Sequence, residues 1–294
     1  MKFTLSCIVI CIHLCLARHT GTNKNGLRIR GGRNATEDEF PYVVKLMQQS
    51  LTTRKPVFFC TGVVLTSKWT LTAGHCADDV EQILQQLLST SVTQTKAVIE
   101  YQPSPKADVA YSEVTSMSKP LGRGDFQRNL RRGAARNDIG LLHTQPVLLA
   151  KYGKLSPIDY AALKGQKVSI VGYGRMMNMD EEPPLVPQVI DVAVKECTQY
   201  AFYPQLCFGP LCSARVPFSQ TACPGDSGGP AVHASGVVAV VSGGNNRNCF
   251  PNIPLPFVGS GRYDIGYEVG MGTPISPFID WISTVIRTEI DTRF

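Results

Sequence analysis

Three short motifs each carry a side chain suited to acyl-transfer chemistry. The motifs TAGHC, NDIGLL and GDSGGP supply His75, Asp138 and Ser227. A hydrolase that attacks an unactivated carbonyl needs a nucleophile, a base that deprotonates it and an anion that orients the base. Serine, histidine and aspartate meet these three needs. The sequence therefore predicts hydrolysis through a serine nucleophile.

The elements that must position these residues look like strands. Short β-rich runs alternate with turn residues, and the clearest are YVVKLM, FFCTGVVLTS, KAVIEYQ, DIGLLHT, KVSIVGYG, QVIDVAV and GVVAVVSGG. Such spacing predicts an all-β barrel or sandwich. Helical patterns occur at Asp78–Leu88, which has acidic residues at its start, and near the C-terminus at Ser276–Thr288.

The composition fits a folded, loop-rich chain. Hydrophobic residues make up 43% and charged residues 18% of the 294 residues, which excludes a disordered chain. The 26 glycines and 20 prolines favour a β architecture over a helical bundle. The formal net charge is +6, but the first 28 residues hold four basic and no acidic side chains, so the remainder carries only +2. We therefore expect no nucleic-acid partner.

The N-terminal segment has the pattern of an export signal. A lysine at position 2 precedes an almost wholly apolar run over residues 3–16, and small residues at Cys15 and Ala17 predict cleavage after Ala17. The run is shorter than the roughly 20 residues that span a bilayer. We expect residues 1–17 to be a signal peptide and the mature protein to be secreted and extracellular, with no membrane partner.

Secretion places the remaining cysteines in an oxidising compartment. Seven lie beyond the signal peptide: Cys60, Cys76, Cys197, Cys207, Cys212, Cys223 and Cys249. Such a compartment favours disulfides, and an odd number leaves one cysteine over. The cysteines lack the Cys-x-x-Cys spacing of a zinc site and have few histidine neighbours, and few acidic residues cluster as calcium would need. We expect no metal and no cofactor.

The order of His75, Asp138 and Ser227 resembles that of the chymotrypsin-like serine proteases, the trypsin/chymotrypsin family. The resemblance extends from Ile29 to about Arg287. It implies an all-β fold of two six-stranded antiparallel β-barrels with a C-terminal helix, which makes residues 29–294 the protease domain. It also implies that Ser227 is the nucleophile, that His75 is the general base and then acid, and that Asp138 orients the histidine.

The same resemblance implies how the reaction is supported. The backbone N–H groups of Gly225 and Ser227 would form the oxyanion hole, where glycine allows the amide to face the developing charge. Ser242 corresponds to the family serine that hydrogen-bonds the triad aspartate, here Asp138.

An activation site is implied at the start of the protease domain. Residues 18–28 form a polar propeptide that ends at Arg28, and Ile29 opens the sequence Ile-Arg-Gly-Gly. In this family, cleavage before such a sequence by a trypsin-like protease frees an ammonium group that pairs with the aspartate before the nucleophile, here Asp226. Arg30 replaces the usual aliphatic residue, and we expect its side chain to face solvent.

Three disulfides are implied by the resemblance: Cys60–Cys76, Cys197–Cys207 and Cys223–Cys249. Cys212 is then the odd cysteine. The sequence leaves open whether Cys212 replaces Cys207 as the partner of Cys197.

The specificity pocket is assigned in the same way. Thr221 lies at its base, where a trypsin-like enzyme has a carboxylate, and Gly244 and Gly270 occupy the two walls. An uncharged base between small wall residues implies cleavage after large apolar side chains. Glu268 or Asp264 reaching into the pocket would instead restore a preference for basic residues.

Two surface features remain. Residues 122–136 hold five arginines just before the triad aspartate. This loop is either a solvated surface segment or a site for acidic substrate residues or a polyanion. Asn34 begins an N-glycosylation sequon, Asn-Ala-Thr.

The sequence thus predicts a secreted serine endopeptidase that is made as a zymogen and hydrolyses proteins or peptides after large apolar residues. We also expect protein protease inhibitors among its partners. The alternatives are a catalytically inactive homologue that acts as a binding or regulatory module, and an active protease with non-chymotryptic specificity. Retention of all three triad residues and Gly225 favours an active enzyme.

Overall fold

The computed structural model describes residues 32–88, 95–120, 137–174, 183–197, 204–211, 221–244 and 269–291. The predicted signal peptide (1–17), the propeptide (18–28), the new N-terminus at Ile29 and the arginine-rich loop (122–136) lie outside these ranges. The strands are β1 Arg33–Asn34, β2 Val43–Ser50, β3 Pro56–Val64, β4 Trp69–Thr72, β5 Thr95–Tyr101, β6 Ala110–Ser118, β7 Gly140–Thr144, β8 Lys167–Gly172, β9 Gln188–Lys195, β10 Leu206–Pro210, β11 Pro230–His233, β12 Gly236–Gly244 and β13 Gly270–Pro274. The α-helices are α1 Gly74–Leu88 and α2 Ile279–Asp291.

Two closed barrels of six antiparallel strands form the protein. The first barrel has the strand order β2-β3-β4-β7-β6-β5. The second has the order β8-β9-β10-β13-β12-β11 and closes because β8 pairs with both β9 and β11. The short β1 adds to the second barrel beside β9, with Arg33 opposite Val189. The predicted all-β, two-barrel fold is confirmed.

Burial along the strands explains why they form. In β6, the buried Ser112 and Val114 alternate with the exposed Tyr111 and Glu113, as expected of a strand with one face in the core. By contrast, β12 is buried along its whole middle, Val237–Val241, because one face lies inside the second barrel and the other lies between the barrels.

Each barrel has its own apolar core, and a third apolar cluster joins the two barrels. Leu46 and Ile99 lie in the first barrel, and Ile170 and Phe208 lie in the second. The joining cluster contains, among others, Tyr42, Phe58, Tyr173, Val240 and Ile282. This third cluster fixes the relative position of the two barrels, which matters because residues from both of them build the site.

The helices cover the outside of this framework. Helix α1 buries Ala77, Val80 and Ile83 against the core of the first barrel, at helical spacing. It begins at Gly74, four residues before the predicted start at Asp78. The sequence pattern does not reveal this first turn, because residues 74–77 show no helical periodicity. Helix α2 confirms the predicted C-terminal helix and is preceded by a 3-10 turn at Ser276–Phe278. Among the described helices, none has the length and apolar character needed to cross a membrane.

Candidate active site

His75 and Asp138 form a paired unit at the edge of the first barrel. His75 is the second residue of α1, and Asp138 lies just before β7. Nδ1 of His75 lies 2.9 Å from Oδ2 of Asp138, and the His75 backbone N–H donates to Oδ1 at 2.7 Å. The two contacts together fix both the ring and the helix terminus on one carboxylate. A ring whose Nδ1–H donates to a carboxylate keeps Nε2 as the basic nitrogen.

The backbone before Asp138 turns sharply to present its side chain. Asn137 has a φ of +49°, in the left-handed region that asparagine tolerates better than most residues. Its carbonyl accepts a hydrogen bond from the N–H of Ile139 at 2.8 Å. The Asn-Asp pair of the NDIGLL motif is therefore a turn followed by a buried acid.

The second barrel contributes Ser242 to the same carboxylate. Its hydroxyl, on β12, donates to Oδ2 of Asp138 at 2.5 Å. Burial alone would raise the pKa of Asp138, but the charge of His75 and the hydrogen bonds from His75 and Ser242 outweigh it and hold the pKa below its usual range. Asp138 is thus an anion at neutral pH although it is fully buried.

Ser227 lies in the loop before β11, bound to the first barrel. Its carbonyl oxygen accepts a hydrogen bond from the backbone N–H of Thr61 at 2.9 Å and lies 3.7 Å from the sulfur of Cys76. Since Cys76 follows His75 directly, these contacts bring the serine next to the start of α1. The structure therefore brings all three predicted triad residues to one place, where the two barrels meet.

Two glycines shape the loop around the serine. Gly225 has a φ of +96° and Gly228 a φ of +81°, which favour glycine. A Cβ at Gly225 would lie 2.5 Å from the ring of Phe58, and a Cβ at Gly228 would overlap Thr72. The Gly-x-Ser-Gly spacing is therefore a requirement of backbone shape and available space. The two residues predicted to form the oxyanion hole, Gly225 and Ser227, flank Asp226 in this loop.

Asp226 is a fully buried carboxylate held by two backbone donors. The N–H of Gly174 donates to Oδ1 at 2.7 Å and that of Cys223 to Oδ2 at 2.8 Å. Burial raises the pKa of Asp226 from 3.8 to about 7, although these hydrogen bonds act in the opposite direction. Its predicted partner, the ammonium group of Ile29, lies outside the described residues.

The predicted pocket residues lie together beside the loop. Thr221 is fully buried, with Oγ1 3.0 Å from the carbonyl oxygen of Val269. A Cβ at Gly244 would overlap the carbonyl of Ala222, and one at Gly270 would lie 3.3 Å from the Cβ of Ala222. The two wall glycines, which are paired on β12 and β13, therefore lie close to Ala222 and leave no room for side chains of their own. Glu268 and Asp264 lie outside the described residues.

The predicted disulfides involve the same region. The structure contains Cys60–Cys76, which ties β3 to α1, and Cys197–Cys207, which joins the end of β9 to β10. Cys223 is also disulfide-bonded, while its predicted partner Cys249 and the odd Cys212 lie outside the described residues. Cys60, His75 and Cys76 have ligand atoms within 4.8 Å of one another, but both sulfurs are used by the disulfide and this group offers no thiolate to a metal.

Sequence reasoning missed the residues that hold the serine loop from outside. Thr61 on β3 contacts the loop through both its backbone and its hydroxyl, and Thr72 on β4 donates to the Thr61 carbonyl at 2.9 Å. Gly174 supplies a donor to Asp226. In the sequence, Thr61 stands out only as a polar residue within an otherwise apolar run, directly after Cys60.

Asn34, the predicted glycosylation site, is an exposed residue of β1. Its side-chain oxygen accepts a hydrogen bond from Nε2 of Gln188 at 2.7 Å. The sequon's Thr36 hydroxyl donates to Glu39 at 3.1 Å. The asparagine therefore lies on an accessible edge of the second barrel.

Similar sequences and a similar fold occur among known serine proteases. A family model described as Trypsin matches residues 29–263. The chain is 26% identical to the alpha- and beta-fibrinogenase OhS1 of Ophiophagus hannah, over 88% of this chain and 86% of that protein. It is 27% identical to the serine protease SP24D of Anopheles gambiae, over 89% and 82%. The solved structure of neuropsin, a serine protease of mouse brain, superimposes with a TM-score of 0.61 at 18% identity, covering 87% of this chain and 99% of neuropsin.

Proposed function

Since this chain belongs to the trypsin family and is a serine endopeptidase, we propose that His75, Asp138 and Ser227 are its catalytic triad and that it is secreted as a zymogen. The observation that carries this proposal is the set of contacts around Asp138. One buried carboxylate accepts from the His75 ring, the His75 N–H and Ser242, while the Ser227 loop is bound directly beside α1.

The proposed reaction is acyl transfer in two steps. Ser227 Oγ attacks the scissile carbonyl while Nε2 of His75 takes its proton, and the histidine then gives that proton to the leaving amine. The ester formed at Ser227 is hydrolysed by water in the second step, with His75 again acting as base. Asp138 keeps Nδ1–H oriented and stabilises the imidazolium that forms in each step. Its lowered pKa supports this role, because the carboxylate remains charged throughout.

The oxyanion of each tetrahedral intermediate would be bound by the N–H groups of Gly225 and Ser227. Donors that are already oriented stabilise the charge as it develops. The positive φ of Gly225 and the hydrogen bonds from Gly228 N–H to the Val241 carbonyl and from Gly229 N–H to the Asp226 carbonyl support a loop of defined shape.

Cleavage between Arg28 and Ile29 would activate the enzyme. A buried carboxylate without a cation is costly, and the raised pKa of Asp226 reflects that cost. An ammonium group from Ile29 would neutralise Asp226 and secure the loop that carries both oxyanion donors. Trypsin-family proteases are activated by other proteases, and the basic residue at 28 fits a trypsin-like activator.

We propose that the activated enzyme cleaves proteins or peptides after large apolar residues. Thr221 places no charge at the base of the pocket. Glycine at 244 and 270 keeps the walls free of side chains, because a Cβ at either position would lie against Ala222. Residues 1–17 as a signal peptide, the disulfides and an exposed Asn34 sequon together support secretion with N-glycosylation.

A fluorescent organophosphate tests the triad directly. The trypsin-treated wild-type protein should be labelled stoichiometrically, and Ser227→Ala should be neither labelled nor active while it is secreted at the wild-type level. Ser283→Ala on α2 is the matched control and should be labelled like the wild type. Peptidase turnover in Ser227→Ala would contradict the proposal, and absence of label in the wild type would favour an inactive homologue that acts by binding.

A further inference from the structure

Thr61 is a buried polar residue on β3 whose polar groups are all used at the junction of the barrels. It has no exposed surface. Its N–H donates to the carbonyl of Ser227 at 2.9 Å, and its own carbonyl accepts from the hydroxyl of Thr72 at 2.9 Å. The backbone of Thr61 is therefore attached to the residue that carries the nucleophile.

The Thr61 hydroxyl binds two further groups at once. It donates to the carbonyl of Gly225 at 2.7 Å and accepts from the backbone N–H of Tyr173 at 3.2 Å. Both groups belong to the second barrel and its loops. A hydroxyl is one of the few uncharged side-chain groups that can donate and accept through a single atom. Valine, which has the same shape, can do neither.

The Thr61 hydroxyl holds the carbonyl side of the Gly225–Asp226 peptide. Gly225 supplies one N–H of the proposed oxyanion hole, and its carbonyl belongs to the adjoining peptide, whose N–H, on Asp226, donates to the carbonyl of Cys223 at 2.9 Å. On the other side of the same peptide, the side chain of Asp226 is held by Gly174, the residue after Tyr173. The Thr61 hydroxyl thus connects the carbonyl side of this peptide to the segment that also binds Asp226.

We propose that Thr61 is a positioning residue for the oxyanion hole, acting through its hydroxyl on the Gly225 carbonyl. This inference rests on the proposed function, and Thr61 itself does not touch the substrate. Loss of the hydroxyl leaves the Gly225 carbonyl and the Tyr173 N–H without this partner. Because unsatisfied buried polar groups are costly, we expect the loop to reorient. The Gly225 donor is then less well aimed when the oxyanion forms, whereas substrate binding in the ground state is little changed.

The expected effect is a fall in kcat with little change in KM. Loss of a complete oxyanion donor lowers kcat by about 10²–10³. Thr61→Val misorients one donor without removing it, so we expect kcat to fall about tenfold. Thr61→Ser keeps the hydroxyl and loses only a methyl group, and its kcat should stay within about twofold of the wild type.

The test compares three variants of the full chain after activation with trypsin: Thr61→Val, Thr61→Ser and Thr70→Val. Thr70 is the matched control, because it is equally buried on neighbouring β4 and its hydroxyl has no hydrogen-bond partner in the described chain. Organophosphate titration counts competent serines, so that kcat is expressed per active site and does not depend on the yield of folded protein. A peptide aldehyde forms a tetrahedral adduct with the serine, so its inhibition constant measures how well the oxyanion hole binds. The affinity for the product peptide measures binding without an oxyanion.

The inference is supported if Thr61→Val loses kcat and aldehyde affinity in parallel while it retains its affinity for the product peptide. Thr61→Ser and Thr70→Val should resemble the wild type in all three measurements. Wild-type kcat in Thr61→Val, or equal losses in Thr61→Val and Thr61→Ser, would overturn the inference while leaving the proposed function intact. If Thr61→Val does not fold, the same comparison is made between Thr61→Ala and Thr61→Ser, with the same outcomes. A wild type that fails to label would overturn the proposed function, and this inference with it.

Discussion

At the scale of single residues, the arrangement of the site depends on the number of hydrogen bonds that the Asp138 carboxylate accepts. Asp138 receives three: the His75 ring, the His75 backbone N–H and the Ser242 hydroxyl. A carboxylate accepts at both oxygens, so all three contacts are favourable. This arrangement explains why the acid stays ionised in a fully buried position.

Asp138→Asn should therefore disable the enzyme without unfolding it. An amide has one oxygen and one NH₂ group, so at least one of the three donors would face another donor. Either the His75 ring adopts the wrong tautomer or the start of α1 loses its contact. In enzymes with this triad the same change lowers kcat by about 10⁴. Peptidase assays on the activated protein measure the loss, and Asp280→Asn, at an exposed aspartate in the first turn of α2, should leave kcat unchanged.

At the scale of elements, the loop before β11 is shaped by contacts made from β3 and β4. Gly228 shows this most clearly, because a Cβ there would overlap both the Thr72 hydroxyl and the Thr61 carbonyl. Gly165 has nearly the same backbone angle, +79° against +81°, but nothing lies within 4 Å of its Cβ position. Alanine at Gly165 would therefore carry only the cost of the left-handed backbone, whereas alanine at Gly228 would also carry the cost of steric overlap.

Gly165→Ala should destabilise the protein by about 1 kcal/mol, which is the cost of a left-handed alanine. Gly228→Ala carries that cost and the overlap with two strands, so we expect a loss of more than about 4 kcal/mol and no activity. Urea unfolding of the precursors measures both values. Similar losses in the two variants would show that the loop can move away from β3 and β4.

The sequence predicts the features that depend on local patterns and not those that depend on contacts between distant residues. The seven apolar runs correspond to strands or parts of strands, because alternation and turn residues are local signals. The sequence does not mark the short strands β1, β4, β10, β11 and β13, since two to five residues give little periodicity, nor β6, whose polar residues hide the alternation. The Thr61 hydroxyl contacts a residue 164 positions away, and no local pattern contains such a contact.

At the scale of the whole molecule, the proposed activation connects the site to a segment far from it in sequence. Ile29 and Asp226 are expected to meet only after cleavage, and the pocket residue Thr221 offers no charge to bind Arg28. An isolated buried charge is too costly to be bound productively. The enzyme should therefore be unable to activate itself.

Incubation of the purified precursor tests this expectation. Alone, it should remain inactive at all concentrations, and added trypsin should produce an active chain whose N-terminal sequence is Ile-Arg-Gly-Gly. Arg28→Gln should remain inactive after the same treatment, whereas Arg18→Gln, a change at the other end of the propeptide, should be activated normally. Spontaneous conversion at Arg28 would mean that a carboxylate reaches the pocket, and Glu268 and Asp264 would then be the first residues to replace.

Precursor and activated enzyme should also respond to pH in opposite directions, through Asp226. In the uncleaved chain, burial raises the pKa of this carboxyl from 3.8 to about 7, so the folded state binds a proton more tightly than the unfolded state does. Its contribution to stability is therefore complete below about pH 4 and is lost as pH rises to 7. At 1.36 kcal/mol per pKa unit, the loss is about 4 kcal/mol. After cleavage, the Ile29 ammonium should lower this pKa below its ordinary value, and stability should then be lost on acidification instead.

Urea unfolding of the precursor at pH 4.5 and pH 8 measures this effect, in a Ser227→Ala background that prevents proteolysis. Asp226→Asn carries no titrating group, so the stability difference between it and its Asp226 parent isolates the contribution of Asp226. That difference should shift in favour of the asparagine variant by several kcal/mol between the two pH values, whatever constant offset the amide introduces by facing the Gly174 or Cys223 N–H. In the cleaved chain it should stay nearly constant between these two pH values, because an Asp226 pKa below 3.8 confines its titration to lower pH. A difference that is constant in the precursor as well would show that Asp226 is already neutralised before cleavage, and the ion-pair account of activation would then be wrong.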